Sequence, residues 1–219
     1  SGLVGSEMCI RDREKRLRAV GDQMGATIDD ATYKDIARQS VMDNWEEPDI
    51  RNAIAGHLAY SSAGSLGGTA GGLEDQIRNY AASMGVDVTD QWVMQQVQQQ
   101  SASGANEINA AQDFIRARAK EKYSIWANDL NDANVTIEDL SYNYRTAMAN
   151  MFEISPDEVD MNNPTIKQAM QIGDGNGNKM TSFQFEQLLR KDPRWAKTKN
   201  AKEETNTVVN NVLSTFGLV

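Results

Sequence analysis

The chain contains a single cysteine, Cys9, and a single histidine, His57, in 219 residues. One cysteine closes no intrachain disulfide, and one histidine cannot build a multi-histidine metal site from this chain alone. Prolines number four, at positions 48, 156, 164 and 193, and sit at segment edges, which suits helices. No apolar run approaches the roughly 20 residues of a membrane-spanning helix. Basic residues are outnumbered, 22 against 31, for a net charge of −9. Nucleic-acid surfaces need clustered lysine and arginine to displace counterions, so this acidity argues against a nucleic-acid partner and equally against anionic lipid.

Residues 3–13 read as an in-frame translation of a transposon-type sequencing adapter. Its core codons give Glu-Met-Cys-Ile-Arg-Asp followed by Ser or Arg, matching residues 7–13, and its upstream bases supply Leu-Val-Gly-Ser. Residues 1–13 are therefore set aside as non-native. The native chain is expected to start upstream of what is present, assembled from environmental sequence. Cys9 lies inside this segment, so the remainder has no cysteine and thiolate zinc sites and cysteine nucleophiles drop out. Losing two basic and two acidic residues with it leaves the net charge at −9.

What the chain does have is apolar residues at helical spacing almost throughout. The expected fold class is all-α, a multi-helix orthogonal or bundle-like array of short helices, with two sub-bundles as a possible arrangement. A first helix covers 14–24 with Leu17, Val20 and Met24 on one face. Asp29 caps a second, with Tyr33, Ala37, Val41 and Trp45 in register. Pro48 opens a third, whose stripe is Ile50, Ala53, Ile54, His57 and Leu58. The glycine-rich stretch 61–72 reads as a flexible linker. It divides an N-terminal helical subdomain, 14–60, from a C-terminal helical domain, 73–219. Further helices are expected at 73–84, at 90–102 capped by Thr89, at 106–121 (Ile108, Ala111, Ile115) and near 122–130 around Trp126. Thr136 caps a long helix carrying Ile137, Leu140, Tyr144, Met148 and Phe152. Ser155-Pro156 and Asn163-Pro164 each read as a cap plus first helical residue. Two last helices cover 182–191 and 199–216, the final one carrying Ala201, Val208, Val209, Val212 and Phe216 at core spacing and ending at Gly217. Residues 16–25 also align with residues 76–85, sixty positions on, and each segment precedes a capped helix, which suggests a duplicated helix–turn–helix unit.

Chemistry is thinly represented. His57 is the usual type of acid/base residue, but among Ile54 and Leu58 it reads as a packed core histidine. Asp174, Asn176 and Asn178 occupy positions one, three and five of a calcium-loop pattern and are the only metal-ligand candidates. The turn glycine of that pattern is Lys179 here. The twelfth-position glutamate is Phe185, with Glu186 one place late. A polar turn followed by a helix capped at Thr181 or Ser182 is the better reading. The carboxylate pairs Glu46-Glu47, Asp157-Glu158 and Glu203-Glu204 single out no glycosidase-like pair. The glycines of 64–72 lack the Gly-Lys-Ser/Thr ending of a phosphate loop. The glutamine-rich run 95–100 reads as an exposed helix face. Trp45, Trp92, Trp126 and Trp195 fall one per region, as anchors of local helix junctions. No catalytic residue and no cofactor is assigned.

The C-terminal run Phe185-Glu-Gln-Leu-Leu-Arg-Lys-Asp-Pro-Arg-Trp195, then Thr198-Lys-Asn-Ala201 and Phe216-Gly-Leu218, resembles the ending of a group of tailed-phage virion proteins. Asp30-Ala-Thr-Tyr-Lys-Asp-Ile-Ala-Arg and the stretch from Asn44-Trp45 to Ile50-Arg-Asn-Ala-Ile54 resemble their preceding helical part. The likeness spans most of residues 14–219. It implies a structural or tail-associated particle component, located in the virion, with other virion subunits or further copies of itself as partners. Such regions also end tape-measure-like or cell-wall-degrading polypeptides. Two alternatives stand beside a non-enzymatic helical assembly module, the first of them implied by the resemblance. One is an accessory C-terminal domain of a peptidoglycan-degrading enzyme whose catalytic domain lies upstream. The other, from the residues alone, is a calcium-binding interaction module.

Overall fold

The structure, a computed structural model, describes residues 2–105 and 107–217, with residues 2–6 as backbone only. Among the described residues there are ten α-helices and no strand, an all-α multi-helix array. Two compact units are present. One comprises Ser1–Ala82 with Val86–Ile115, the other Ser83–Gly85 with Arg116–Val219.

The first unit opens with α1 (Gly2–Met24), α2 (Asp30–Met42) and α3 (Glu47–Ala55). Asp29 caps α2 by accepting the N–H groups of Ala31 and Thr32, and Glu46 and Asp49 form a reciprocal box at the start of α3. α1 packs against both α2 and α3 through Leu17, Val20, Met24, Tyr33, Ala37, Ile50 and Ile54, all buried. α4 (Gly68–Ser83) and α5 (Asp90–Ser103) follow, and α5 lies along α3 with Val93 and Val97 inward. The glutamine-rich run belongs to α5; Val97 within it is buried while Gln95 and Gln99 are exposed. α6 (Asn109–Lys122) places Ala111 and Ile115 in this unit and Ala119 in the next.

In the second unit two single turns, at Ser124–Trp126 and Asp129–Asn131, stand where one short helix was expected. The Arg116 guanidinium explains the compaction here. It donates to the carbonyls of Leu130, Asp132, Ala133 and Val135, gathering four acceptors of one loop on a single side chain. α7 (Ile137–Phe152) has the Thr136/Asp139 capping box, and buries Ile137, Tyr144, Met148 and Phe152. Ser155 and Asn163 each cap a proline-led turn, Pro156–Glu158 and α8 (Pro164–Lys167), as the cap-plus-proline pattern anticipates. A π-turn, Gln168–Ile172, continues α8 and buries Ala169 and Met170. α9 (Ser182–Leu189) packs on α7, with Phe185 against Tyr144 at 4.8 Å. α10 (Lys199–Thr215) closes the chain.

Several expectations are corrected. α2 ends at Met42, so Trp45 lies beyond the helix and is only half-buried. The chain does not divide at 61–72. Residues from Gly68 onward form the first turns of α4, and Leu66 and Ala70 are buried. Glycine there serves close approach. Gly68 has φ +53, and a Cβ on it would fall 2.5 Å from the carbonyl oxygen of Gln23 and 2.6 Å from the nitrogen of Gly25. The backbone at 67–68 and the end of α1 thus meet where no side chain fits. The expected helix start at 106 lies outside the described residues, and α6 begins at Asn109.

The 16–25 and 76–85 segments share a local structure. Gly25 and Gly85 are both left-handed, φ 78 and 60. The N–H of Ala26 reaches the carbonyl of Gly21, and that of Val86 the carbonyl of Ala81, each at 2.9 Å. Both helices thus end in the same six-to-one closure. Each is followed by a capped helix, at Asp29 and at Thr89. The partners differ: α1 packs along α2, whereas α5 packs along α3.

Candidate functional site

The calcium-loop candidates come together in a turn whose polar atoms are used on one another. One Asp174 carboxylate oxygen accepts the backbone N–H groups of Asn176 (2.8 Å) and Asn178 (3.1 Å), and the other accepts the Asn178 side-chain NH2. The Asn176 N–H, with the Asn178 amide, holds the Asp174 carboxyl below its ordinary value. Lys179, at the position of the missing turn glycine, pairs with Asp129 at 2.7 Å and sits 4.5 Å above the Trp126 ring. Phe185, at the position of the bidentate glutamate, is fully buried in the core. Thr181 caps α9 and forms a reciprocal box with Gln184. Among the described residues no group of three or more His, Cys, Asp or Glu side chains is placed to hold a metal ion.

His57 is a correction. α3 ends at Ala55, so His57 falls in the following turn and is exposed rather than packed beside Ile54 and Leu58. Four of these six paired carboxylates serve the local structure. Glu46 caps α3, Glu47 pairs with Arg51 at 3.4 Å, Glu158 accepts the Ser155 N–H, and Glu204 pairs with Arg190. Trp92 stacks on Phe114 at 4.8 Å, Trp126 meets Tyr144 edge-on, and Trp195 lies under Arg190.

One cluster had no signal in the sequence. Glu74 on α4 is 4% exposed. Its carboxylate accepts the Leu66 N–H at 2.9 Å and the Arg78 guanidinium at 2.7 Å. Arg78 also reaches the Asp90 carboxylate at 2.6 Å and the Tyr60 hydroxyl at 3.3 Å, and the two carboxylate hydrogen bonds raise its pKa. The network fastens the loop before α4 to α4 and α5. Every member has a partner inside the cluster, which marks it as structural.

The C-terminal motif residues form the most distinctive surface. Asp192 accepts the Arg194 N–H at 2.8 Å and binds its guanidinium, which lies 4.6 Å over the Phe152 ring. Trp195–Lys197 makes a single turn, and the Thr198 hydroxyl then accepts the Ala201 N–H and caps α10. The Asn200 N–H donates to Glu153, and Arg190 holds Glu204 with both oxygens within 2.7 Å. The start of α10 is thus clamped at fixed direction. The remainder is uncovered: Val208, Val209, Val212 and Phe216 are 56, 48, 48 and 74% exposed. This overturns their expected place in a core, and of that stripe only Ala201 is buried. A groove of about 480 Å3, lined by Trp195, Ala201, Thr205, Val208 and Val209 among others, runs beside it.

No family model, no curated protein and no solved structure matches this chain.

Local preference does not account for α10. Residues 205–212 read Thr-Asn-Thr-Val-Val-Asn-Asn-Val. Each such residue is about 0.6 kcal/mol less favourable than alanine in a helix, roughly 5 kcal/mol over the run. Helices of this length are marginal alone in water, and most helical stability comes from burying an apolar face. Among the described residues, nothing covers the outer part of this face. No helix of the described residues is long and apolar enough to cross a membrane.

Proposed function

We propose that the chain is a non-enzymatic helical assembly module of a tailed-phage virion protein, acting through helix packing against neighbouring subunits. The observation that supports this most is the uncovered apolar face of α10. It is held out by the Asp-Pro-Arg-Trp and Thr-Lys-Asn-Ala residues on which the resemblance to virion proteins rests. Under this reading residues 1–13 are a translated sequencing adapter and take no part in the module.

Recovering the full reading frame from its source tests both points. A frame lying among portal, capsid or tail genes, with the product present in purified particles, is the expected result. A bacterial metabolic neighbourhood defeats the virion assignment. An upstream lysozyme-like or transglycosylase-like domain moves the assignment to the accessory end of a cell-wall-degrading protein. The chain by itself is expected to leave purified peptidoglycan intact, and clearing of that substrate would place chemistry within it.

A further inference from the structure

We infer that the surface which covers α10 is the α10 of a second copy of this chain, in an antiparallel two-fold pair crossing at Val208 and Val209. The inference rests on the reading of α10 as an assembly element and names its partner.

The geometry supports a self-matching surface. At 3.6 residues per turn, Ala201, Thr205, Val208, Val209, Val212 and Phe216 fall within an arc of roughly 100°. All of them lie on one continuous stripe, whose inner end lines the groove beside Trp195. A rise of 1.5 Å per residue puts Phe216 about 11 Å from the crossing, and Ala201 about the same distance on the other side. An antiparallel copy therefore sets each Phe216 over the groove at Ala201 and Trp195 of the other. Phe216 is the most exposed residue of the stripe, and that groove is the concavity it meets.

Charge points the same way. Residues 205–217 contain no Asp, Glu, Lys or Arg, although the chain carries −9 overall. A highly acidic protein normally repels its copies, and this neutral segment removes that repulsion where the helices meet. The bordering Asn206, Asn211 and Thr215 each carry a donor and an acceptor, so the same surface can satisfy itself. Lys202 and Glu204 flank the stripe on its two sides near the start of α10; Lys202 comes opposite the C-terminal carbonyls of the other helix, where a cation is favoured, and the Glu204 charge is already paired with Arg190 of its own chain. The contact covers about four helical turns, short of the ~800 Å2 per partner of a stable complex, so pairing is weak and reversible.

Sedimentation of the whole chain, carrying Cys9→Ser, from about 2 to about 200 µM is expected to follow a monomer–dimer isotherm. Val208→Asp and Val212→Asp, at exposed positions, are expected to weaken dimerisation at least tenfold while leaving the far-UV spectrum and Tm of the body unchanged. Under mild oxidation, Thr205→Cys mixed with Val212→Cys is expected to give the mixed disulfide in excess over either homodimer. Constant monomer mass at every concentration, or aspartate variants that associate as tightly as the parent, overturns the pairing. Predominant Val212→Cys homodimers overturn the antiparallel register. A monomeric chain still found in virions sinks the self-pairing alone, whereas a dimer encoded among metabolic genes sinks the virion reading and leaves the pairing intact.

Discussion

Single residues carry most of their weight here through what surrounds the backbone. Gly68 and Gly72 look alike in the sequence, inside one glycine-rich run, yet only Gly68 combines a left-handed φ with neighbouring backbone under 3 Å from a would-be Cβ. Gly68→Ala is expected to cost about 3 kcal/mol in a urea titration, through left-handed strain and overpacking. Gly72, an exposed position within α4 with nothing within 4 Å, should give the opposite sign: Gly72→Ala stabilises by roughly 0.5–1 kcal/mol. Equal effects at the two sites would mean that the run is a flexible connector after all. Composition alone marks such a run as a linker, because the close approach to Gly25 forms only when α1 is in place. Glu74 is the converse case, a charged residue among many that the fold happens to bury. Glu74→Ala leaves the Leu66 N–H without its acceptor and Arg78 short of a carboxylate, and is expected to lower stability by about 2–4 kcal/mol. A loss below half a kcal/mol would show the network to be ornamental.

At the scale of elements, starts were far more legible than ends or destinations. Asp29, Thr89, Thr136, Asn163 and Thr181 all cap helices, because capping is a contact between residues two or three apart. Trp45 and His57 were misplaced by extending a periodic stripe past a helix end that depends on local backbone turns. The loop at 174–180 shows the same dependence on context. Its ligand-like spacing is real, but Asp174 is turned onto its own loop and Phe185 fills the core. Millimolar calcium is accordingly expected to leave Tm unmoved relative to chelator, and a rise of several degrees would make the loop a calcium site. For α1, the first buried side chain among the described residues is Leu17, and Arg13 makes one bond at 3.1 Å to the Trp45 carbonyl. Deleting residues 1–12 should therefore cost no more than about 1 kcal/mol of thermal or urea stability.

For the molecule as a whole, titration reports how the folded chain uses its charges. Hydrogen bonds hold the carboxyls of Asp29 (from Thr32), Glu153 (from Asn200), Asp174 (from Asn176) and Asp192 (from Arg194) below their ordinary values. A depressed folded pKa means stability that is full above the unfolded value, near 4, and is lost as pH falls through the folded one. Burial raises Tyr33, Tyr60 and Tyr144, so their contribution is full below about pH 10 and is lost as pH climbs through the raised values. Urea midpoints should be flat from about pH 6 to 9 and fall outside both limits. A midpoint that rises on acidification toward pH 3 would contradict this assignment of the caps.

The all-α class, the helix caps and the inward face of α1 followed from residues a few positions apart, as did most of that of α7, since helical periodicity and capping are short-range. Tertiary structure alone decided that the glycines at 67–68 are a contact, that Glu74 is buried, and that the stripe on α10 faces outward. An apolar face has the same spacing whether its cover is the rest of its own chain or another molecule, and only the position of every other helix tells the two apart.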